Sequence, residues 1–183
     1  RTGWGGTGAG ALGGGFTECR LERGAGEVFA IGGGYEQWAW KIRNDPGVVT
    51  MGRTNIRYVT PEQLGEPLDL SVIDVSFISL KLVLPAIRAL LKPETGQVLC
   101  LIKPQFEAGK ERVGKKGVVR DPAVHRDVLE EFMATAKSLS FTILNLTYSP
   151  VKGPEGNIEF LAHLTLAPGD DVQVDLTALV SQA

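Results

Sequence analysis

The chain has 183 residues, 43% of them hydrophobic and 22% charged, with a formal net charge of -2 and a pI near 5.8. That is enough for one domain with its own core, and the composition is that of an ordinary soluble globular protein. The charge balance excludes a globally basic nucleic-acid binder, so any such footprint must be local, and no apolar run reaches the roughly 18 residues that span a bilayer.

The first 34 residues hold 13 of the 23 glycines. Residues 5–12 read GGTGAGAL, where a buried first strand of a parallel sheet would be rich in Val, Ile and Leu. A short helix is expected over residues 16–23, closed by Gly24. A strand follows over 27–31, a helix over 35–43 and a strand over 48–51. Thr60-Pro61-Glu62 reads as a helix start with proline at the first position. Residues 67–105 carry the clearest unit. An apolar run over 68–75 contains Asp74, a helical pattern holds Leu80, Leu84, Ile87 and Leu91, and a second apolar run over 98–102 ends on Lys103. Strand, helix, strand of this kind argues for a parallel βαβ crossover. A polar loop is expected over 104–120. A long helix runs to about Ser138, with Asp121 as N-cap and Pro122 at the first position. Strands are expected over 141–148 and 158–166, joined by the loop SPVKGPEGN. A weak helix is expected over 176–182. The chain opens on Arg1 without a methionine and is expected to be a fragment of a longer protein.

The alternation predicts a doubly wound α/β fold: a mostly parallel sheet of about seven strands with helices on both faces. Two final strands joined without a helix must be antiparallel if they pair. The last strand then starts at the edge where the parallel strands end, and open α/β sheets bind ligands at that edge. Asp74, Lys103 and Glu159 are expected to converge there. A lysine flanked by two carboxylates is held in place and suits proton transfer to or from a hydroxyl; a surface salt-bridge cluster is the alternative.

Other features say less. Residues 103–120 hold six bases against two acids. Lys110, Arg112, Lys115, Lys116 and Arg120, with Phe106 among them, are the candidate phosphate-backbone contacts. The glycines from Gly10 to Gly15 precede a short helix, as in loops that approach a cofactor, but they form no clean GxGxxG. No acid ends the second strand, so a nicotinamide dehydrogenase is not favoured. Cys19 and Cys100 form no CxxC, which excludes a disulfide framework and leaves a reducing cytoplasm as the expected setting. His125 and His163 lack metal-ligand spacing, so no metal is expected. Ser76 and Ser79 lack a nucleophile elbow.

Six stretches in compatible order carry a resemblance: GGFTECRLERGA, YEQWAWKIRNDP, RTNIRYVTPEQLGEPLDL, VIDVSFISLKLVLPAI, LIKPQFEAGKERVGKKGVVRDP and SPVKGPEGNIEFLAHL. From Gly14 to about Leu166 the chain resembles the TlyA, or hemolysin A, family of rRNA methyltransferases, whose catalytic domain is of the FtsJ type. The resemblance implies a Rossmann-like S-adenosylmethionine-dependent methyltransferase over residues 1–166, atypical and Gly-rich over 1–34, with a tail over 167–183. It implies methyl transfer to a ribose 2′-hydroxyl of ribosomal RNA, with rRNA or ribosomal subunits as partners. Asp74, Lys103 and Glu159 fall on the last three members of the family's Lys-Asp-Lys-Glu tetrad, and Lys103 takes the role of base. S-adenosylmethionine is expected along Gly10, Ala11, Gly14, Gly15, Phe16 and Thr17, by Gly34 and Tyr35, by Asn55, and against Asp74 and Val75.

The chain departs from the family at four points. Gly8 stands where the cofactor loop opens on an acid, and Gly32 where the ribose-binding acid stands. No lysine precedes Lys41, so the tetrad's first member has no counterpart. The family's N-terminal S4-type RNA-binding domain has none either. A catalytically impaired RNA- or ribosome-binding module of the same fold is therefore the competing expectation. Membrane lysis, suggested by the hemolysin name, finds no spanning segment and no strongly amphipathic cationic helix.

Overall fold

The computed structural model describes residues 28–31, 48–50, 60–64, 67–75 and 77–183. The strand expected over 5–12 and the helices expected over 16–23 and 35–43 lie outside these residues.

The described elements run, in chain order, β1 (Val28–Ile31), β2 (Val48–Thr50), α1 (Pro61–Leu64), β3 (Leu70–Ile73), α2 (Leu80–Leu90), β4 (Gln97–Ile102), α3 (Pro104–Glu107), α4 (Pro122–Ser138), β5 (Thr142–Tyr148), β6 (Phe160–Thr165) and α5 (Leu176–Gln182). Six strands form one sheet in the order β2-β1-β3-β4-β6-β5. The pairs β1–β2, β1–β3 and β3–β4 are parallel, and β6 runs antiparallel to both of its neighbours. The crossover β3–α2–β4 is the strand-helix-strand unit read from residues 67–105.

Local chemistry sets the helix ends. Ser79 caps α2 by accepting from the Lys81 amide, and its buried stripe is Leu80, Val83, Leu84, Ile87 and Leu90, the spacing of one helical face. Pro85 sits inside α2 on its exposed side, where the lost backbone bond faces water and not the core. Asp121 caps α4 through the Ala123 amide, with Pro122 at its start, and Asp175 caps α5 through Ala178. Gly96 is required where the chain turns into β4: a Cβ there would lie 2.6 Å from Leu91 Cβ and 2.8 Å from Lys92 O.

Register decides which side chains share a layer. Val98, Cys100 and Ile102 lie beside Leu164, Ala162 and Phe160. These six join Leu84 and Ile87 of α2 and Leu129 and Phe132 of α4 in one buried cluster. Each fully buried Leu or Phe contributes roughly 1.5–3 kcal/mol, so this layer anchors the β3–β4–β6 centre. Every residue of β6 is buried, as a strand covered on both faces requires.

Two differences from the sequence reading have local causes. Residues 104–120 are not a plain polar loop: they contain α3 and two 3₁₀ turns, Lys110–Arg112 and Lys115–Gly117. Pro104 starts α3 with its preset φ, and the Ala108 amide closes the turn on Pro104 O, a single-turn helix too short to leave a periodic signal. The tail does more than end in a helix. Val172 N donates to Ile143 O at 2.8 Å and Ile143 N donates to Asp171 Oδ1 at 2.8 Å, so residues 171–172 satisfy backbone groups on the outer edge of β5, which would otherwise be open to pairing. Among the described residues no helix is long and apolar enough to cross a membrane.

Candidate active site at the strand ends

Asp74 directly follows β3 and Lys103 directly follows β4. The two strands are parallel neighbours with Ile73 beside Cys100, so their C-terminal ends deliver both side chains to one edge. Lys103 Nζ lies 2.5 Å from Asp74 Oδ1, and the two side chains are only 12% and 19% exposed. At that burial an ion pair is screened far less than one on the surface. Glu159 arrives from the opposite direction, on the residue before the antiparallel β6, and is 5% exposed. Burial pushes its carboxyl above the ordinary glutamate range, while a hydrogen bond from Gln105 and the charge of Lys103 pull it back. Gln105 Nε2 donates to Glu159 Oε2 at 2.8 Å. Acid, base and acid thus meet at the C-terminal edge of the sheet.

Two further groups brace this corner, and neither had a sequence signal beyond lying near it. Glu107, at the end of α3, accepts from Ser79 Oγ at 2.6 Å and from Leu80 N at 2.8 Å. It thereby ties the chain after Lys103 to the N-terminus of α2, where a carboxylate is favoured by the helix dipole. Burial raises the Glu107 carboxyl and these two hydrogen bonds lower it. Asn157, 3% exposed, accepts from Val119 N at 3.0 Å and donates to Gly117 O at 2.9 Å and to Pro154 O at 3.1 Å. It bolts the turn at Lys115–Gly117 to the turn at Pro154–Gly156. His125 supports the same region from α4, with Nε2 2.9 Å from Val119 O and its ring edge-on to Phe160. This is the structural role expected of an unpaired histidine.

Phe77 was not singled out in the sequence. It lies three residues after Asp74, is 90% exposed and has a left-handed backbone with φ of 65°. Its ring centroid is 4.9 Å from that of Phe106. The two rings border an open groove of about 470 Å³, also lined by Ile78, Ser79, Leu82 and Lys110. A bulky residue at positive φ costs of order 1–3 kcal/mol and is found mostly at functional sites.

The five candidate phosphate contacts do not behave alike. Arg112 Nη2 is 2.5 Å from Asp127 Oδ2, so its charge is already engaged on α4. Lys110 lines the groove beside Phe106. Lys115, Lys116 and Arg120 are exposed around the second 3₁₀ turn. Lys116 has φ of 62°, and Gly117 follows it with φ of 73°. Of the expected cofactor contacts, Asp74 and Val75 are described; Gly10, Ala11, Gly14, Gly15, Phe16, Thr17, Gly34, Tyr35 and Asn55 lie outside the described residues. Among the described residues no group of three or more His, Cys, Asp or Glu is arranged to hold a metal ion.

A sheet with one antiparallel strand next to its parallel centre, and an acid-base-acid corner at the strand ends, define an α/β methyltransferase fold. The chain belongs to the FtsJ-like methyltransferase family, whose sequence profile matches residues 7–166. It is 51% identical over 152 residues to YqxC of Bacillus subtilis, provisionally described as an rRNA methyltransferase, covering 82% of this chain and 54% of that one. It is 46% identical over 156 residues to the 16S/23S rRNA (cytidine-2′-O)-methyltransferase TlyA of Mycobacterium tuberculosis, covering 85% of this chain and 58% of that one. A solved structure from Lactococcus lactis, described as a hemolysin, matches with a TM-score of 0.77 and 43% identity, over 94% of this chain and 84% of that one. The chain therefore spans little more than half the length of the curated relatives it matches.

Proposed function

We propose that the protein transfers a methyl group from S-adenosylmethionine to a ribose 2′-hydroxyl of ribosomal RNA in the cytoplasm. The observation that carries this reading is the meeting of Asp74, Lys103 and Glu159 at the sheet edge where α/β folds of this kind hold their ligands. Asp74 and Val75, at the end of β3, fit a cofactor lying across that edge: Asp74 is held in place by Lys103, and Val75 is partly buried against the core. The remaining expected cofactor contacts are those in the Gly-rich segment together with Tyr35 and Asn55. When bound, the cofactor supplies an electrophilic methyl group on a sulfonium.

The chain's own residues then have defined tasks. Lys103 holds the 2′-hydroxyl and, once it has passed its own extra proton to solvent and stands as the free amine, would accept the hydroxyl proton as the oxygen attacks the methyl carbon and the neutral thioether leaves. Asp74 fixes the position of Nζ. Glu159, anchored by Gln105, closes the other side. Alignment is the main contribution, because a sulfonium methyl needs little activation beyond in-line approach. The exposed Phe77 ring offers a stacking face for a base of a single-stranded target, and Lys110, Lys115, Lys116 and Arg120 offer phosphate contacts, with Arg112 available only by leaving Asp127.

The test is methylation of ribosomal subunits with labelled S-adenosylmethionine, read by mass spectrometry of the RNA. The expected product is a 2′-O-methylated nucleotide, lost in Lys103→Ala. Gly8 and Gly32, standing where acids contact the cofactor in the family, favour a second reading: an impaired module that binds RNA or a ribosomal partner. RNA binding by a folded chain without calorimetric affinity for S-adenosylmethionine, restored by Gly8→Asp with Gly32→Asp, would select it.

A further inference from the structure

We infer that Gly153 is a positioning residue for Glu159: its missing side chain makes the seat that holds the carboxylate against Gln105, and Asn157 locks that seat to the basic turn. This inference rests on the reading of Glu159 as part of the methyl-transfer site.

Gly153 has φ of -78° and ψ of -168°, extended backbone that any residue adopts. Glycine is therefore not needed there for its conformational freedom. The constraint is space. A Cβ built on Gly153 lies 2.6 Å from Glu159 Cδ and nearer still to Oε2. Real Cβ atoms do not approach that closely, so an alanine must push the carboxylate aside. The same Oε2 is the atom that accepts from Gln105 Nε2. Displacing it breaks the bond that aims the carboxylate, two residues from Lys103 along the chain of Gln105.

The seat is itself fixed. Gly153 N donates to Asn157 O at 2.8 Å, and Ser149 N donates to Glu159 O at 2.8 Å. The loop 149–159 is thus closed at its base by the Ser149–Glu159 bond and again within it by the Gly153–Asn157 bond. Through its side chain Asn157 also holds Val119 N and Gly117 O, the backbone of the turn that carries Lys115 and Lys116. A continuous run of contacts joins the basic turn, Asn157, Gly153 and the Glu159 carboxylate. Gripping RNA and presenting the carboxylate are consequently set by one rigid unit.

The experiment is a double-mutant cycle on the full chain, with ribosomal subunits as substrate. Gly153→Ala is expected to lower the methylation rate constant by about 10²-fold, the effect of a misplacement near 1 Å, with the affinity for S-adenosylmethionine unchanged. In a Glu159→Ala background the same substitution is expected to cost nothing further, because the two act as one unit. Equal losses in both backgrounds, or no loss in the first, overturn the inference. The side-chain amide of Gln105 gives a readout independent of catalysis. Its NMR resonances and exchange protection are expected to change in Gly153→Ala, and unchanged resonances overturn the inference even if the chain transfers no methyl group. That last outcome alone would count against the proposed function and not against the seat. Should Gly153→Ala fail to fold, Gly153→Ala with Glu159→Ala is expected to fold; failure of both shows a structural glycine and overturns the inference.

Discussion

The two halves of the site are built by different means. Asp74 and Lys103 stand on the ends of neighbouring parallel strands, and the sheet register alone brings them together. Gln105 and Glu107 stand on the one-turn helix α3 and Glu159 on the loop before β6, held by a few side-chain hydrogen bonds. The strand-end half is as rigid as the core beneath it, where β3 and β4 contribute Ile73, Val98, Cys100 and Ile102 to the buried cluster. The loop half is only as rigid as Asn157 and Glu107 make it. A substitution in the first half should therefore remove chemistry without loosening structure, whereas one in the second should loosen structure and carry chemistry with it.

Lys103→Ala should show the first behaviour in its purest form. Removal of a positioned acid-base group typically costs 10²–10⁴-fold, and that loss should fall on the rate constant while RNA affinity holds; the stability lost by leaving Asp74 without its partner should return in Lys103→Ala with Asp74→Ala, and the activity should not. Asn157→Ala should show the second. It strips partners from Val119 N, Gly117 O and Pro154 O at a site only 3% exposed. Leaving such groups unpaired costs about 1–3 kcal/mol each when no water reaches them, so denaturant midpoints should fall by an amount of that order. Methylation and RNA affinity should fall together. If Asn157→Ala kept full stability and lost chemistry only, the contrast between the halves would be wrong.

The same contrast explains what could be read from the sequence. Apolar runs ending on Asp74 and Lys103, separated by a helical stripe, state a parallel crossover and place both residues at one edge. The two helix-less final strands state an antiparallel return, which brings Glu159 to that edge. Each inference used a period or a connection length, and both survive because pairing register depends on the whole strand. The Asp121-Pro122 start of α4 and the 176–182 helix were legible for the same reason, through caps and spacing. Gln105, Glu107 and Asn157 were not, since a lone polar side chain on a turn leaves no periodic trace and the partners that tie it to other segments lie 27 to 54 residues away. Phe77 was hidden inside an apolar-looking DVSFISL, where nothing marks a positive φ. The one-turn helix at Pro104 and the turn at Lys115–Gly117 read as loop because neither reaches a second helical turn.

Charge on the basic turn offers a milder way to sharpen the comparison. Lys115 and Lys116 are exposed, and among the described residues no hydrogen bond ties their side chains to the core. Replacing both by alanine should leave the fold and the affinity for S-adenosylmethionine unchanged. RNA binding should weaken at every sequence tested, and the slope of log affinity against log salt should fall by about one for each lost phosphate contact. A salt slope equal to that of the parent chain would remove these lysines from the RNA surface and leave Lys110 and Arg120 as the remaining candidates.

The smallest expected effect concerns Glu107, and it carries a sign. Burial raises this carboxyl in the folded chain. The folded state therefore binds a proton more readily than the unfolded state does, and the associated stability is present at low pH and is lost as pH rises through the folded value. Glu159 contributes in the same direction. Glu107→Gln cannot ionise; its one oxygen keeps the acceptor for Leu80 N, and its amide nitrogen takes the place of the other oxygen, where Ser79 Oγ can accept from it in turn. At neutral pH, relief of the buried charge and weakening of the two hydrogen bonds oppose each other, so the net change should stay within about 1 kcal/mol. The signature lies in the difference between variant and parent: as pH falls from neutrality toward the ordinary carboxylate range, the parent should gain on the variant. Methylation should meanwhile decline on acidification at a pH above the ordinary glutamate range, because Glu159 takes up its proton early, and Glu107→Gln should leave that decline in place. A difference curve that is flat, or that slopes the other way, would mean the Glu107 carboxylate is stabilised by its α2 partners more than it is penalised by burial. The loop half would then draw its rigidity from a charged clamp and not from packing.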